Sequence, residues 1–297
     1  MAFVTRKIDV TITLGEGDFG DQGQSDQVKL TGLRVSAAIN KDGLPSMDSA
    51  TIRVWGLTKP VLNKLTQLGK PIQFARNNTV TVEAGDDQSG MSQVFEGTIW
   101  TSYADFSDMP NVPLVMTCMS GAISAAKPVK PISFPNGADV AVIMQQIGAS
   151  MTPVKSVQNF GVKTHLAGAL YYPGTALDQM KAVAAAAPCN ADASGSTLDI
   201  WPIDGVRGSN GSVPEIGPDS GLIGYPTYSD FGISIRALYQ PGLVRGGNFK
   251  LTSSVKQANG SWTAASLAYD LESETPDGHW FMNINAYRPT DPLGATS

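Results

Sequence analysis

Short runs of alternating apolar and polar residues, each closed by turn residues, recur at both ends of this chain and constrain its fold more than any other feature. Near the N-terminus, Ile8, Val10, Ile12 and Leu14 alternate with polar residues, which is the period of a half-buried strand. The 31 glycines and 19 prolines are spread along all 297 residues, a distribution that disfavours a helical bundle. The pattern predicts a mainly β protein.

The first 120 residues predict one antiparallel β-domain, closed or sandwiched. One short helix interrupts the strands, with Thr58 as its predicted cap, Pro60 in its first turn and Gly69 at its end. Further strands are predicted within residues 28–39, 50–54, 80–84, 94–103 and 112–119.

Residues 121–215 predict a mixed α/β insert. One helix is expected to bury a face made of Val140, Ile143, Met144 and Ile147 and to end at Gly148. Thr175 and Asp178 have the spacing of a capping box for a second helix, which Pro188 ends. A strand containing Trp201 is predicted over residues 197–203.

Residues 216–297 return to strand patterns and predict a second β-domain. Ile233 and Ile235 alternate, Phe249 and Leu251 alternate, and residues 262–271 and 280–286 continue the pattern. The dipeptide Asn259-Gly260 predicts a two-residue hairpin turn. The expected fold class is therefore mainly β (α+β), with two antiparallel β-domains flanking the insert.

Charge and cysteine content exclude several classes of protein. Only 16% of residues are charged, against about 25% in typical soluble domains, which indicates a surface largely buried against neighbours. The net charge of −5 excludes a strongly basic nucleic-acid footprint and a polybasic membrane patch. The N-terminus lacks the apolar segment of a signal peptide, so we expect synthesis in the cytoplasm. Cys118 and Cys189 are expected to be packing residues.

One glycine motif resembles a dinucleotide fingerprint. Residues 15–20 read GxGxxG after a predicted strand, but a helix must follow such a motif to meet the pyrophosphate. A polar, glycine-broken segment and another predicted strand follow instead. We therefore predict a loop between strands and no bound dinucleotide.

Catalytic arrangements are missing from the sequence. No GxSxG elbow is present, and the only histidines, His165 and His279, are expected in turns or on the surface. Two histidines and two cysteines without ligand spacing do not predict a metal site. We therefore predict no catalytic residue, no cofactor and no metal ion. Three acidic pairs are interpreted as surface charge rather than glycosidase carboxylates: Glu16 with Asp18, Asp86 with Asp87, and Glu272 with Glu274.

Several segments resemble baseplate hub proteins of contractile-tailed bacteriophages. DSGLIGYP at 219–226 leads into FGISIRALY at 231–239, and the glycines of 246–247 follow; this order resembles the C-terminal barrel of those hubs. YYPGTALDQM at 171–180 resembles the start of a helix in their middle region. Residues 40–57 and VFEGTI at 94–99 resemble their first barrel.

The resemblance implies two tube-like barrels in each chain and a relation to the base of type VI secretion spikes. It implies a homotrimer whose six barrels match a sixfold tail tube, while its other side keeps threefold symmetry for the spike. The implied partners are the tail tube protein, the spike protein and other baseplate proteins. DNA would pass through the lumen without sequence-specific binding, and the protein would reside in the virion. No catalytic residue is carried over.

Three alternatives remain open at this stage. A distal tail or tube-like protein would form a ring of six chains with one barrel each. A tail-associated hydrolase would degrade cell walls, and a carbohydrate-binding module would show exposed aromatic rings on one sheet face.

Overall fold

The computed structural model describes residues 5–20, 25–43, 46–66, 77–151, 154, 156–194, 196–207, 213–229 and 232–289. The chain divides into two compact units. Unit 1 consists of Met1–Asn40, Asp48–Ser120 and Ala268–Met282, and unit 2 of Lys41–Met47, Gly121–Leu267 and Asn283–Ser297. Strands make up 49% and helices 16% of the structure, which confirms the mainly β class.

The elements follow one another in chain order, and four helices longer than a 3-10 turn are described. The first strands are β1 (Arg6–Thr13), β2 (Gln27–Leu30), β3 (Val35–Lys41), β4 (Ser49–Val54), β5 (Thr79–Asp86), β6 (Gly90–Ala104) and β7 (Leu114–Met119). The middle strands are β8 (Ile132–Phe134), β9 (Ala138–Asp139), β10 (Ser156–Asn159), β11 (His165–Leu166), β12 (Leu170–Tyr172), β13 (Cys189–Ser194) and β14 (Thr197–Pro202). The last strands are β15 (Glu215–Ile216), β16 (Leu222–Ser229), β17 (Gly232–Leu238), β18 (Asn248–Leu251), β19 (Gly260–Ser273) and β20 (Trp280–Tyr287). The helices are α1 (Lys59–Leu65), α2 (Ala122–Ala126), α3 (Val140–Gly148) and α4 (Ala176–Ala186).

Thirteen of the described strands form one large sheet. Its order is β16-β17-β20-β19-β3-β4-β7-β6-β5-β1-β2, with β18 beside β19 and β15 beside β18. The pairing of β15 with β18 is parallel, whereas the long hairpins are antiparallel. Among the described strands no closed barrel is found, so the antiparallel architecture is confirmed and the two-barrel arrangement stays a prediction.

The core of unit 1 follows the predicted alternation. Val10 and Ile12 on β1 are fully buried, and they lie opposite Val82 and Val80 on β5, which are also fully buried. The residues between them point to the other face of the sheet, because successive strand side chains alternate. Ile52 on β4 extends the same apolar layer. Burial of aliphatic surface is therefore the main driving force for folding of this unit.

The GxGxxG segment joins two antiparallel strands. It follows β1, and β2 returns beside β1 with Thr13 opposite Gln27. Within it, Phe19 is buried and its backbone N–H donates to the Ser25 carbonyl at 2.7 Å. The helix that a dinucleotide fingerprint needs is replaced by β2, as the sequence predicted, although residues 21–24 of the loop lie outside the described ones.

Helix α1 is shorter than predicted. Val61, Leu62 and Leu65 are buried as expected, but the helix ends at Leu65 and Thr66 is its C-cap. The predicted end at Gly69 lies outside the described residues. Thr58 occupies the N-cap position, yet its side chain makes no capping hydrogen bond.

The insert in unit 2 is built on the two predicted helices. The apolar face of α3 is buried through Val140, Ile143, Met144 and Ile147. Helix α4 begins with a complete capping box, in which the Thr175 hydroxyl accepts from the Asp178 N–H and the Asp178 carboxylate accepts from the Thr175 N–H. Strand β14 pairs with β13 on one side and with β10 on the other. These elements confirm the mixed α/β character of this segment.

The hairpin predicted at Asn259-Gly260 is wrong. Strand β18 pairs with β19 so that Leu251 lies opposite Gly260, which leaves Thr252 to Asn259 as the connection. A 3-10 turn at Lys256–Ala258 lies within it. The Asn259 side chain accepts a hydrogen bond from the Ser253 N–H at 2.6 Å, so this asparagine stabilises a longer loop rather than occupying a two-residue turn.

Candidate assembly surfaces

Both histidines lie on exposed strand ends beside a carboxylate. His165 Nδ1 is 2.7 Å from Asp139 Oδ1, across the short pairing of β11 with β9. His279 Nδ1 is 2.7 Å from Asp270 Oδ2. All four side chains are between 44% and 63% exposed. Exposed His–carboxylate pairs of this kind stabilise strand ends modestly because water screens them.

The predicted acidic pairs are found in turns. Asp86 accepts backbone hydrogen bonds from Gln88 and Ser89, and these bonds lower the pKa of the Asp86 carboxyl, the Ser89 N–H contributing most. Asp87 forms an ion pair with Lys7. In the other two pairs, Asp18 accepts from the Gly20 N–H at 3.0 Å and Glu272 from the His279 N–H at 3.1 Å. Their geometry is that of turn-stabilising side chains.

The cysteines are buried and separate. Cys118 lies in the core of unit 1, where burial raises the pKa of its thiol, and Cys189 lies in unit 2 with its thiol pKa raised for the same reason. The described residues contain no group of three or more side chains suited to hold a metal ion. None of the described helices has the length and apolar character to cross a membrane.

Unit 2 contains a buried charge cluster that periodicity did not predict, and we call it the arginine cluster. The Arg207 guanidinium forms ion pairs with Asp192, at 2.8 Å, and with Asp199. Both carboxylate side chains are only 5% exposed. Burial raises the pKa of the Asp199 carboxyl, and the positive charge of Arg207 opposes this shift.

A second arginine completes the arginine cluster. Arg245 is 4% exposed and donates to the carbonyl groups of Ala265, at 3.0 Å, and Ala191, at 3.1 Å. Its guanidinium lies 5.0 Å from the centre of the Trp201 ring. The cluster therefore links β13 and β14 of the insert to the segment before β18 and to β19 through charges and backbone carbonyl groups.

Glycines make room for these arginines. A Cβ at Gly43 would lie 1.9 Å from Arg245 Nη1, and this glycine has a φ of +67°. A Cβ at Gly246, with a φ of +77°, would lie 2.8 Å from both Arg207 and Trp201. In the sequence, the Gly246-Gly247 dipeptide next to Arg245 is the one local signal of this site, but it does not identify the distant aspartates.

Two exposed aromatic surfaces are available for contacts. Strand β16 is at one end of the sheet order, and it exposes 73% of Tyr225 and 58% of Tyr228. In unit 1, the connection between β6 and β7 exposes 62% of Phe106 and 70% of Met109. Exposed apolar side chains that cluster in this way are typical of surfaces that contact other proteins.

Solved structures of tail proteins share this fold. A tail protein from Neisseria meningitidis MC58 is 10% identical with a TM-score of 0.62, over 93% of this chain and 96% of that one. The 43 kDa tail protein of prophage MuSo2 from Shewanella oneidensis is 8% identical with a TM-score of 0.62, over 95% and 97% of the two chains. The E. coli c3393 protein, a type VI secretion component similar in structure to the T4 tail proteins gp27 and gp5, is 8% identical with a TM-score of 0.57, over 87% and 74%.

Sequence comparison assigns the family. No curated protein sequence matches the chain. The sequence model of the family described as "Baseplate hub gp41" matches residues 7–284, which include all but the two ends. Neighbours at such low identity show the fold alone, whereas the family match extends over almost the whole sequence. The chain therefore belongs to the baseplate hub gp41 family of phage tail proteins.

Proposed function

We propose that this protein is the structural hub of a phage baseplate and forms a homotrimeric ring between the tail tube and the spike. The observation that carries the proposal is the family match over residues 7–284. The fold similarity to the c3393 protein, itself similar to gp27 and gp5, supports a place at the base of a spike. A further neighbour is the Francisella PdpA–VgrG complex, with a TM-score of 0.56.

In this proposal the finer architecture follows from symmetry. Residues 1–120 and 216–297 each form a tube-like barrel around the insert at 121–215, so that three chains present six barrels to the sixfold tube. The opposite side of the ring keeps threefold symmetry and holds the spike. DNA passes through the central lumen without sequence-specific binding, and the protein has no enzymatic activity.

The oligomeric mass in solution tests this proposal most directly. Light scattering on the purified full-length chain is expected to give three times its mass of 31.3 kDa, and electron microscopy of tails is expected to show one trimer at the tip. A ring of six identical chains would instead assign the protein as a distal tail or tube-like protein.

A cell-wall zymogram separates the hub from a tail-associated hydrolase. We expect no clearing by the pure protein, because its histidines bond to exposed carboxylates and its acidic pairs stabilise turns. Clearing that is lost in the His165→Ala or His279→Ala variant would overturn the non-enzymatic part of the proposal.

A further inference from the structure

The outer face of the sheet in unit 1, opposite its buried core, is rich in hydroxyl groups. Thr11 lies opposite Thr81 across β1 and β5, and Thr117 lies opposite both Thr51 and Thr101 across β4, β7 and β6. These side chains are half-buried among their neighbours or exposed. We define the hydroxyl face by six residues: Thr11, Thr13, Thr51, Thr81, Thr101 and Thr117.

The cations next to the hydroxyl face are held by carboxylates. Lys29 lies opposite Thr11 on β2, and its ammonium group is 3.2 Å from Asp9 and 3.1 Å from Glu83. The Arg53 guanidinium lies close enough to Asp105 to contribute to the lowered pKa of that carboxyl. Phosphate groups that approach this face therefore meet hydroxyls and cations whose charge is already compensated.

This composition differs from that of the common binding surfaces. Surfaces that bind duplex DNA present lysine and arginine to phosphates, and platforms for single strands present stacked aromatic rings. The centres of protein interfaces are rich in aromatic residues, methionine and arginine, and poor in serine. A row of threonines across five strands is instead a hydrated surface with little net charge.

We propose that the hydroxyl face lines the DNA channel and presents an uncharged, hydrated wall to the passing duplex. This inference rests on the proposed trimeric ring and adds which surface of the chain faces the lumen. Each phosphate contact by a lysine or arginine adds affinity and so retards a moving duplex. A wall of hydroxyls keeps water at the surface and adds no such contacts.

Thiol labelling distinguishes a channel wall from the two other places that this face could occupy. Thr51→Cys and Thr117→Cys are treated with a small biotin-maleimide in the assembled trimer, and streptavidin is then added. The native Cys118 and Cys189 are buried and do not compete for the reagent. We expect biotin to attach and streptavidin to be excluded, whereas the exposed insert variant Gln158→Cys is expected to bind both.

Each other result overturns the inference. Access to streptavidin in a trimer would place the hydroxyl face on the outside, and failure of the small reagent would place it between subunits; either result leaves the proposed ring intact. A chain that light scattering shows to be monomeric would overturn the proposed function, and the inference with it.

A charge-insertion variant tests the same inference through DNA. The double variant Thr51→Lys with Thr117→Lys places six lysines around one channel if the face points inward. Affinity for a short duplex should then fall with salt at a logarithmic slope of about −5, at about −0.9 for each phosphate contact. The uncharged control Thr51→Gln with Thr117→Gln is expected to show no binding. A slope of about −2 or weaker would mean that the lysines of only one chain contact the duplex, and would overturn the inward placement.

Discussion

The two units are stabilised by different kinds of buried groups. Unit 1 places aliphatic residues such as Val10, Ile52 and Met116 in a continuous apolar layer. Unit 2 also has an apolar cluster around α3 and α4, but it adds the arginine cluster, in which four charged side chains are almost fully removed from water. An apolar layer tolerates many sequences, whereas a buried charge must keep its partners. Unit 2 should therefore be the more sensitive of the two to single polar substitutions.

The largest expected effect is that of Arg207→Ala. The substitution leaves the Asp192 and Asp199 carboxylates buried without their cation, which is expected to cost about 3–5 kcal/mol. Hydrogen exchange followed by mass spectrometry should show lost protection in β13 and β14, with β1 and β5 of unit 1 unchanged. The control Lys250→Ala breaks the exposed ion pair with Glu215 and should cost less than about 1 kcal/mol. Equal effects of the two variants would refute the contrast between the units.

In unit 1 the matching test removes apolar volume. Met116 on β7 is fully buried, and Met116→Ala is expected to cost about 2–5 kcal/mol through lost burial and the cavity left behind. The neighbouring Thr117→Ala changes the hydroxyl face instead and should stay within about 0.5 kcal/mol. Chemical denaturation of both variants, compared with the unchanged chain, measures the difference.

The same contrast explains what the sequence predicted. Alternating apolar residues predicted β1, β5 and the buried face of α3, because one-sided burial imposes a period on the sequence. The arginine cluster brings together residues 192, 199, 207 and 245, and no spacing rule connects them. Sheet order escaped prediction for a related reason, since β3 and β19 are neighbours more than 200 residues apart. Local signals failed where a longer loop was possible, as at Asn259.

Helix caps offer a smaller test within both units. Thr175 is part of a complete capping box in unit 2, whereas Thr58 makes no capping hydrogen bond with its side chain in unit 1. Thr175→Ala is therefore expected to destabilise α4 by about 1 kcal/mol, and Thr58→Ala should have a smaller effect on α1. Hydrogen exchange of the first helical turns measures both. A larger loss at α1 would show that the Thr58 side chain stabilises unit 1 through another contact.

The smallest expected effect is a difference in pH dependence. Burial raises the pKa of Asp199 above the ordinary value of 3.8, so the folded state keeps that proton to a higher pH than the unfolded state does. The contribution of Asp199 to the unfolding free energy therefore falls as the pH rises from the ordinary value through the folded one. The pKa of Asp86 in unit 1 is lowered by its hydrogen bonds, so its contribution is lost as the pH falls through the folded value.

Hydrogen exchange corrected for intrinsic rates, between about pH 3 and pH 6, tests the two signs together. Protection of β14, taken as the difference between the unchanged chain and Asp199→Asn, should decrease as the pH rises. Protection of the β5–β6 hairpin, taken against Asp86→Asn, should increase over the same range. A β14 difference that instead increases with pH would mean that the attraction of Arg207 outweighs burial at Asp199. The buried charges of unit 2 would then stabilise it in the same sense as the exposed carboxylates stabilise unit 1, and the electrostatic part of the contrast between the units would be lost.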